Sequence, residues 1–236
     1  MRSTYVVSDL HIFSPRSWAH EHMDMIAAAA AKANRFVFNG DTFEFRWTIF
    51  PTVEETADQA IRWLRDFVGA FPHCQFHYVV GNHDNVGPFV ERLMRLSDET
   101  PNLSWHPYFL KLGNSVFLHG DVANRKMDAA DLAEYRSRWR NDAKKGPFLD
   151  SCHELAFRFD VHKAVCRLAF PRRRVARRVT AYLEAIGHGP LTGIDHVYLG
   201  HTHRTLRDYE YRGMRFHNGG AAVKGMDFRV VRARAG

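Results

Sequence analysis

Short apolar runs alternate with amphipathic stretches along the N-terminal part of the chain, and each apolar run stops at a polar cluster. Tyr5-Val6-Val7 reads as a buried strand and leads into Ser8-Asp9-Leu10-His11. Residues 18–33, with the run Ala27 to Ala31, read as a helix. Arg35 to Asn39 is a second strand, halted by Gly40-Asp41. Thr52-Val53-Glu54-Glu55 has capping-box spacing, with Thr at N-cap and Glu at N3. The helix it opens carries Ala57, Ala60, Ile61, Leu64, Phe67 and Val68 on one face and is expected to end near Gly69. Gln75 to Val80 is a third strand, followed by Gly81-Asn82-His83-Asp84. Strands separated by helices predict a largely parallel α/β sheet. Ligands of such sheets collect at the carboxyl ends of the strands, where all three polar clusters fall.

After a short helix, Pro88 to Leu96, the texture changes. Tyr108 to Leu112 and Ser115 to Leu118 flank Gly113-Asn114, a hairpin signal, and the second of them runs into His119-Gly120-Asp121. Residues 124–190 read as helical throughout. Strand character returns at His196 to Leu199 and delivers Gly200-His201-Thr202-His203. Leu206 to Tyr211 and Met214 to His217 form a closing hairpin, and Phe228 to Val231 a last strand. The expected architecture is an α/β core of two sheets, residues 1–123 and 191–236, interrupted by a helical cap at 124–190.

Composition narrows the class. The chain has 236 residues, 45% hydrophobic and 25% charged, as in an ordinary globular protein. No apolar run approaches the roughly 18–20 residues of a membrane span. Met1-Arg2-Ser3 runs straight into the first strand, which leaves no room for a signal peptide. Cys74, Cys152 and Cys166 are odd in number and lack metal-finger spacing, so a reducing cytoplasm is expected. A net charge of +7 favours anionic partners: phosphate esters, nucleic acid or an acidic membrane surface.

The strand-end residues, in order, are Asp9, His11, Asp41, Asn82, His83, His119, His201 and His203. A lone strand-end histidine is more often a structural hydrogen-bonder than a ligand. Here Asp9-x-His11 and His201-x-His203 each put two side chains on one side of an extended segment, and three more polar clusters follow apolar strands. Mixed nitrogen and oxygen donors without a thiolate suit Mn²⁺, Fe or Zn²⁺ better than Ca²⁺ or Mg²⁺. Each oxygen of Asp41 can take one cation, so this carboxylate can bridge two ions, which in two-metal hydrolytic sites lie about 3.5–4 Å apart.

The set Asp-x-His, Gly-Asp, Gly-Asn-His-Asp, His and Gly-His-x-His, in this order over residues 9–203, resembles the calcineurin-like metallophosphoesterases. The resemblance implies an αββα sandwich and two divalent metal ions, with manganese the leading expectation. One ion would be held by Asp9, His11, Asp41 and His203, the other by Asp41, Asn82, His119 and His201. The implied reaction is attack of a metal-activated hydroxide on the phosphorus of a phosphoester or pyrophosphate. His83 looks like the family's non-ligand histidine at the leaving oxygen, with Asp84 its expected orienting partner. Asn218-Gly219-Gly220 sits where many relatives have an Asn-Pro-Gly-Ser loop.

Gly40-Asp41-Thr42-Phe43-Glu44-Phe45, the tail Gly200-His201-Thr202-His203-Arg204 and the helical cap are similar to the UDP-2,3-diacylglucosamine pyrophosphohydrolases. That subgroup carries Arg where this chain has His83. The similarity implies a phosphorylated small-molecule or lipid-linked substrate, with Arg204 and Asn82 among its contacts. In the cap, Leu155, Phe159, His162, Cys166 and Phe170 recur at helical spacing, as do Val175, Val179, Tyr182 or Leu183, and Ile186. Arg172, Arg173, Arg174, Arg177 and Arg178 lie between these faces and offer contact with substrate phosphates or with anionic lipid at the inner face of a membrane. Two alternatives stand beside this reading. The charge and the arginines fit a nuclease, and loss of catalysis would leave a scaffold, although every ligand position and His83 are present.

Overall fold

In the computed structural model, which describes residues 3–140 and 166–235, the strands sort their side chains by period two. In β2 (Arg35–Asn39) and β3 (Gln75–Val79), Phe36, Phe38, Phe76 and Tyr78 face outward into a helix-covered core. Val37 and Val79 face inward and meet Leu110, Phe117 and Tyr198 of a second sheet. With β1 (Thr4–Val7) and β4 (Leu103–His106) these strands run parallel, and β10 (Val231–Ala233) adds antiparallel to β1, giving the order β10-β1-β2-β3-β4.

The second sheet has the order β5-β6-β7-β9-β8. It combines β5 (Phe109–Leu112), β6 (Ser115–Leu118), β7 (His196–Tyr198), β8 (Leu206–Tyr211) and β9 (Met214–Asn218). Its three central strands are parallel and both edges antiparallel.

Helices close both outer faces. α1 (Met23–Lys32), α2 (Val53–Gly69) and α3 (Gly87–Glu99) bury Ile26, Leu64 and Phe89 against the first sheet. The Thr52 hydroxyl accepts the Glu55 amide at 3.1 Å, so α2 starts at the cap its sequence announces. α4 (Ala129–Arg140) and α5 (Arg172–Ala185) lay Leu132, Val175, Val179 and Leu183 on Val116, Val197 and Phe216 of the second sheet. The result is the four-layer α/β/β/α sandwich. Among the described residues, no helix is long and apolar enough to cross a membrane.

Three local expectations shift. β4 was not expected, because in Leu-Ser-Trp-His only Leu103 is buried and an edge strand carries a weak periodic signal. The last strand begins at Val231, and Phe228 makes only an isolated bridge to Gly220. The helix expected at 18–33 opens as a 3₁₀ turn, Ala19–His22, before α1. Of the expected cap, α4 and α5 form the second sheet's outer layer. Residues 141–165, with Leu155, Phe159 and His162, lie outside the described residues.

Candidate metal centre and active site

Each strand end delivers part of one cluster. Asp9 and His11 follow β1, Asp41 follows β2, Asn82 and His83 follow β3, His119 follows β6, and His201 and His203 follow β7. The turns that aim them are unusual. Of eight non-glycine residues with positive φ among the described residues, five are Asp9, His11, Asp41, His201 and His203, at 46–62°. Such left-handed backbone is costly for residues with a Cβ and concentrates at functional sites. Close approach matters as well. A Cβ on Gly81 would collide with Asp41, and one on Gly200 with Asp9 and Ser8.

The side chains meet in two groups that share a wall. His203 Nε2 lies 3.2 Å from His11 Nε2 and 3.5 Å from Asp9 Oδ1. On the other side His119 Nε2 lies 3.1 Å from both Asp41 Oδ2 and Asn82 Oδ1, and His201 Nδ1 lies 2.9 Å from that same amide oxygen. Asp41 Oδ2 is also 4.0 Å from His11 Nε2. Asp41 Oδ2 thus faces both groups, while Oδ1 accepts the His83 backbone N–H at 2.8 Å.

The outward nitrogens are held too. His11 Nδ1 lies 3.3 Å from Glu44 Oε2, His119 Nδ1 lies 3.3 Å from the Asn39 carbonyl, and His201 Nε2 lies 2.8 Å from Asn124 Oδ1. Outer contacts of this kind set tautomer and ring orientation in metal sites. They leave His11 Nε2, His119 Nε2 and His201 Nδ1 pointing inward.

The arrangement suits cations. Asp9 Oδ2 is buried without a hydrogen-bond partner, and two imidazole nitrogens face each other across the first group. Burial raises the Asp9 carboxyl to about 6. Burial also disfavours a charged His119, yet the Asp41 carboxylate outweighs it and lifts that imidazole to about 10. Within each triad, Asp9-His11-His203 and Asp41-His119-His201, the candidate donor atoms lie within 4.8 Å of one another.

The calcineurin-like phosphoesterase family model matches residues 3–205. The chain belongs to that family. No curated protein matches the sequence. Among solved structures, a dimetal phosphatase from Danio rerio is similar, with 10% identity and a TM-score of 0.48, over 94% of this chain and 88% of that one. A Staphylococcus aureus protein provisionally described as a 5′-nucleotidase, in complex with alpha-ketoglutarate, is similar at 13% identity and a TM-score of 0.36, over 98% of this chain and 52% of that one.

As a calcineurin-like phosphoesterase the protein is a phosphoester hydrolase, and its clustered histidines and aspartates fit two divalent metal ions. Beside that cluster stands a residue whose part the sequence did not disclose. Glu44, fully buried, lies 2.9 Å from His83 Nδ1 as well as 3.3 Å from His11. Its burial opposes ionisation, but His83 and His11 hold it below the usual carboxylate range. For His83 the balance is reciprocal. Burial favours the neutral ring, Glu44 and Asp41 outweigh it, and the imidazole is raised to about 9.

Asp84 is not the partner of His83. Its carboxylate accepts the backbone N–H groups of Thr42, Phe43 and Gly81, so it braces the Asp41 and Asn82 turns against each other. The hexapeptide from Gly40 to Phe45 already held the true partner, three residues past Asp41. Arg204 donates to the Phe170 carbonyl at 3.0 Å and lines a pocket with Arg167, Arg172 and His203. Asn218 reaches the site indirectly, its amide donating to the Gly200 carbonyl and to Thr202 Oγ1.

Two further residues come from beyond the core motifs. Asn124 joins His201 to Tyr135, donating to its hydroxyl at 3.3 Å. Buried Arg136 of α4 grips the Asp121 carboxylate with Nε and Nη2 while Nη1 donates to the Val80 and Gly81 carbonyls at 2.8 and 3.1 Å. It therefore pins the turn before Asn82 to the turn after His119.

Proposed function

We propose that this phosphoesterase is a dinuclear hydrolase in which Asp9, His11, Asp41 and His203 hold one ion and Asp41, Asn82, His119 and His201 the other. The observation that carries the proposal is the position of Asp41 Oδ2, 3.1 Å from His119 on one side and 4.0 Å from His11 on the other. Two divalent ions held there would neutralise phosphoryl oxygens and acidify water for attack on phosphorus. The donor set accommodates Mn²⁺, Fe or Zn²⁺, with Mn²⁺ the first to try.

The chain's own contribution lies mainly in His83. With Nδ1 paired to Glu44 and the ring raised to about 9, His83 carries a proton at neutral pH. Nε2 then serves as the donor to the departing oxygen, and Glu44 keeps the ring in register. This arrangement accounts for a histidine where the UDP-2,3-diacylglucosamine hydrolases carry arginine. A buried carboxylate beside position 83 favours the imidazolium, which unlike a guanidinium can give up its proton. The substrate class proposed is a phosphorylated small molecule. Division of the chain into a core and a 124–190 cap, the roles of Arg204 and Asn82 toward substrate, and contact with an anionic membrane belong to the same proposal.

His83→Ala tests the role. The variant is expected to keep both ions and lose roughly 10²–10⁴ in rate. The loss should be smaller for p-nitrophenol as leaving group than for an alcohol, because a good leaving group needs no proton. His83 also falls within donor reach of His11 and Asp41. If metal content drops with the rate, it is a ligand and the acid assignment is wrong.

A further inference from the structure

The cluster opens onto a cleft of about 370 Å³ that Asp41, His83, Tyr135, Trp139 and Phe170 help to line. A second cavity of about 320 Å³ adjoins it, and His203 and Cys166 belong to the walls of both. The second cavity differs in character, because it gathers Arg167, Arg172 and Arg204.

These arginines come from two parts of the chain. Arg204 directly follows His203 in the turn after β7, whereas Arg167 precedes α5 and Arg172 opens it. Arg204 Nη1 donates to the Arg167 and Phe170 carbonyls at 3.3 and 3.0 Å, which fixes this side chain at the border between the two cavities. Its other nitrogens, and the guanidiniums of Arg167 and Arg172, have no hydrogen-bond or ion-pair partner among the described residues. Asp227 is the one acid among the described lining residues, so the three cations outnumber it.

Bringing like charges together is unfavourable. Burial, and then the neighbouring charges of Arg172 and Arg167, already disfavour the protonated form of Arg204. An oxyanion in this cavity relieves that repulsion, and a guanidinium fork matches two oxygens of one phosphate. Position links the cavity to the reaction. His203 and Arg204 are consecutive, about 3.8 Å apart at Cα, so an anion held by the arginines sits next to whatever the cluster holds. Resting on the hydrolase reading above, we infer that the substrate carries a second phosphate, seated among Arg167, Arg172 and Arg204 while the phosphoryl group under attack lies at the cluster. The substrate class is a diphosphate or a bisphosphorylated small molecule, not a simple monoester.

Phosphonates, which cannot be hydrolysed, test this by calorimetric titration of the Mn²⁺-loaded full chain at one fixed free Mn²⁺. Propylphosphonate carries one anionic group, and methylenediphosphonate and trimethylenediphosphonate carry two at short and long separation. One of the two diphosphonates is expected to bind roughly ten- to a hundredfold tighter than propylphosphonate. The short one winning points to a diphosphate, the long one to phosphates apart on one skeleton. In Arg167→Gln and Arg172→Gln the diphosphonate-to-propylphosphonate ratio should fall, and in the double variant approach one, with bound manganese per chain reporting that each is folded. A ratio unchanged in the folded double variant would overturn the seat. Equal binding of 4-phosphonobutyrate and trimethylenediphosphonate would overturn the choice of phosphate over carboxylate. If neither diphosphonate gains while wild type, but not the double variant, sediments with phosphatidylglycerol vesicles, the arginines serve a lipid surface and the proposal falls. Failure of propylphosphonate itself to bind protein carrying its metal would remove the underlying hydrolase reading as well.

Discussion

Histidines gather in this protein at two kinds of place, and their chemistry differs accordingly. At the strand ends His119 and His83 lie against buried carboxylates and are raised to about 10 and about 9. Inside the sheets the imidazoles meet one another or a hydroxyl. His77 Nδ1 lies 2.7 Å from Ser104 Oγ and 3.4 Å from His106 Nε2, and His196 Nδ1 lies 3.1 Å from His217 Nε2. Burial, with no carboxylate in those pairs, lowers both His77 and His217 to about 4. Proximity of imidazoles alone therefore does not make a cation site. At the strand ends His201 is also lowered by burial, to about 4, so what sets the cation site apart is the buried carboxylates that lie against His119 and His83.

Removing that charge is the severest test of the contrast. Asp41→Ala is expected to abolish measurable hydrolysis and to lower metal content by elemental analysis, because one oxygen faces both groups. An active, fully metallated variant would sink the bridging role. Glu44→Gln should do less. It keeps the shape beside His83 but drops the charge, and a loss of roughly 10–100-fold in kcat is expected for a group supporting ligands from outside. Glu44→Ala falling no further than Glu44→Gln would place the effect in the charge.

The sheet histidines give the smallest effect. His217→Gln should leave metal content and kcat/KM within about twofold, since the ring makes no contact with the cluster. Its signature is in stability. The ordinary value is 6.5 and the folded value about 4, so the folded chain favours the neutral ring. That contribution is complete above pH 6.5 and is lost as pH falls through the window toward 4. Melting temperatures of the metal-stripped protein should decline over that interval, and less steeply in His217→Gln. An identical decline in both proteins would show that His217 carries none of it.

Much of this was legible in the sequence because strand ends write themselves into it. An apolar run ending in a polar cluster recurs, with a glycine before Asp41, Asn82 and His201, and Asp9, His11, Asp41, Asn82, His119, His201 and His203 all converge from such points. What escaped acts across space. Glu44 lies 39 positions from His83, and Asn124 lies 77 from His201, with nothing periodic to tie either pair. Asp84 misled for the opposite reason. Adjacency in sequence suggested a partnership with His83, while the turn's backbone N–H groups had prior claim on its carboxylate. The tryptophans beside His83 were hidden because neither Trp47 nor Trp139 belongs to a patterned run, and only the fold brings them to the same imidazole.

Arg136 has a consequence for anyone wishing to re-engineer this protein. It belongs to the helix that carries Tyr135 and Trp139, yet its guanidinium is buried in the turns that carry Asn82 and follow His119. The helix is thus not an interchangeable attachment. A chimera that exchanges the segment from Asp128 to Arg140 for a relative's without preserving the arginine would strand Asp121 as an unpaired buried anion, a defect of about 3–5 kcal/mol. The smallest transplantable unit is the helix together with Asp121, and libraries aimed at new specificity should diversify Tyr135 and Trp139 while holding that pair constant.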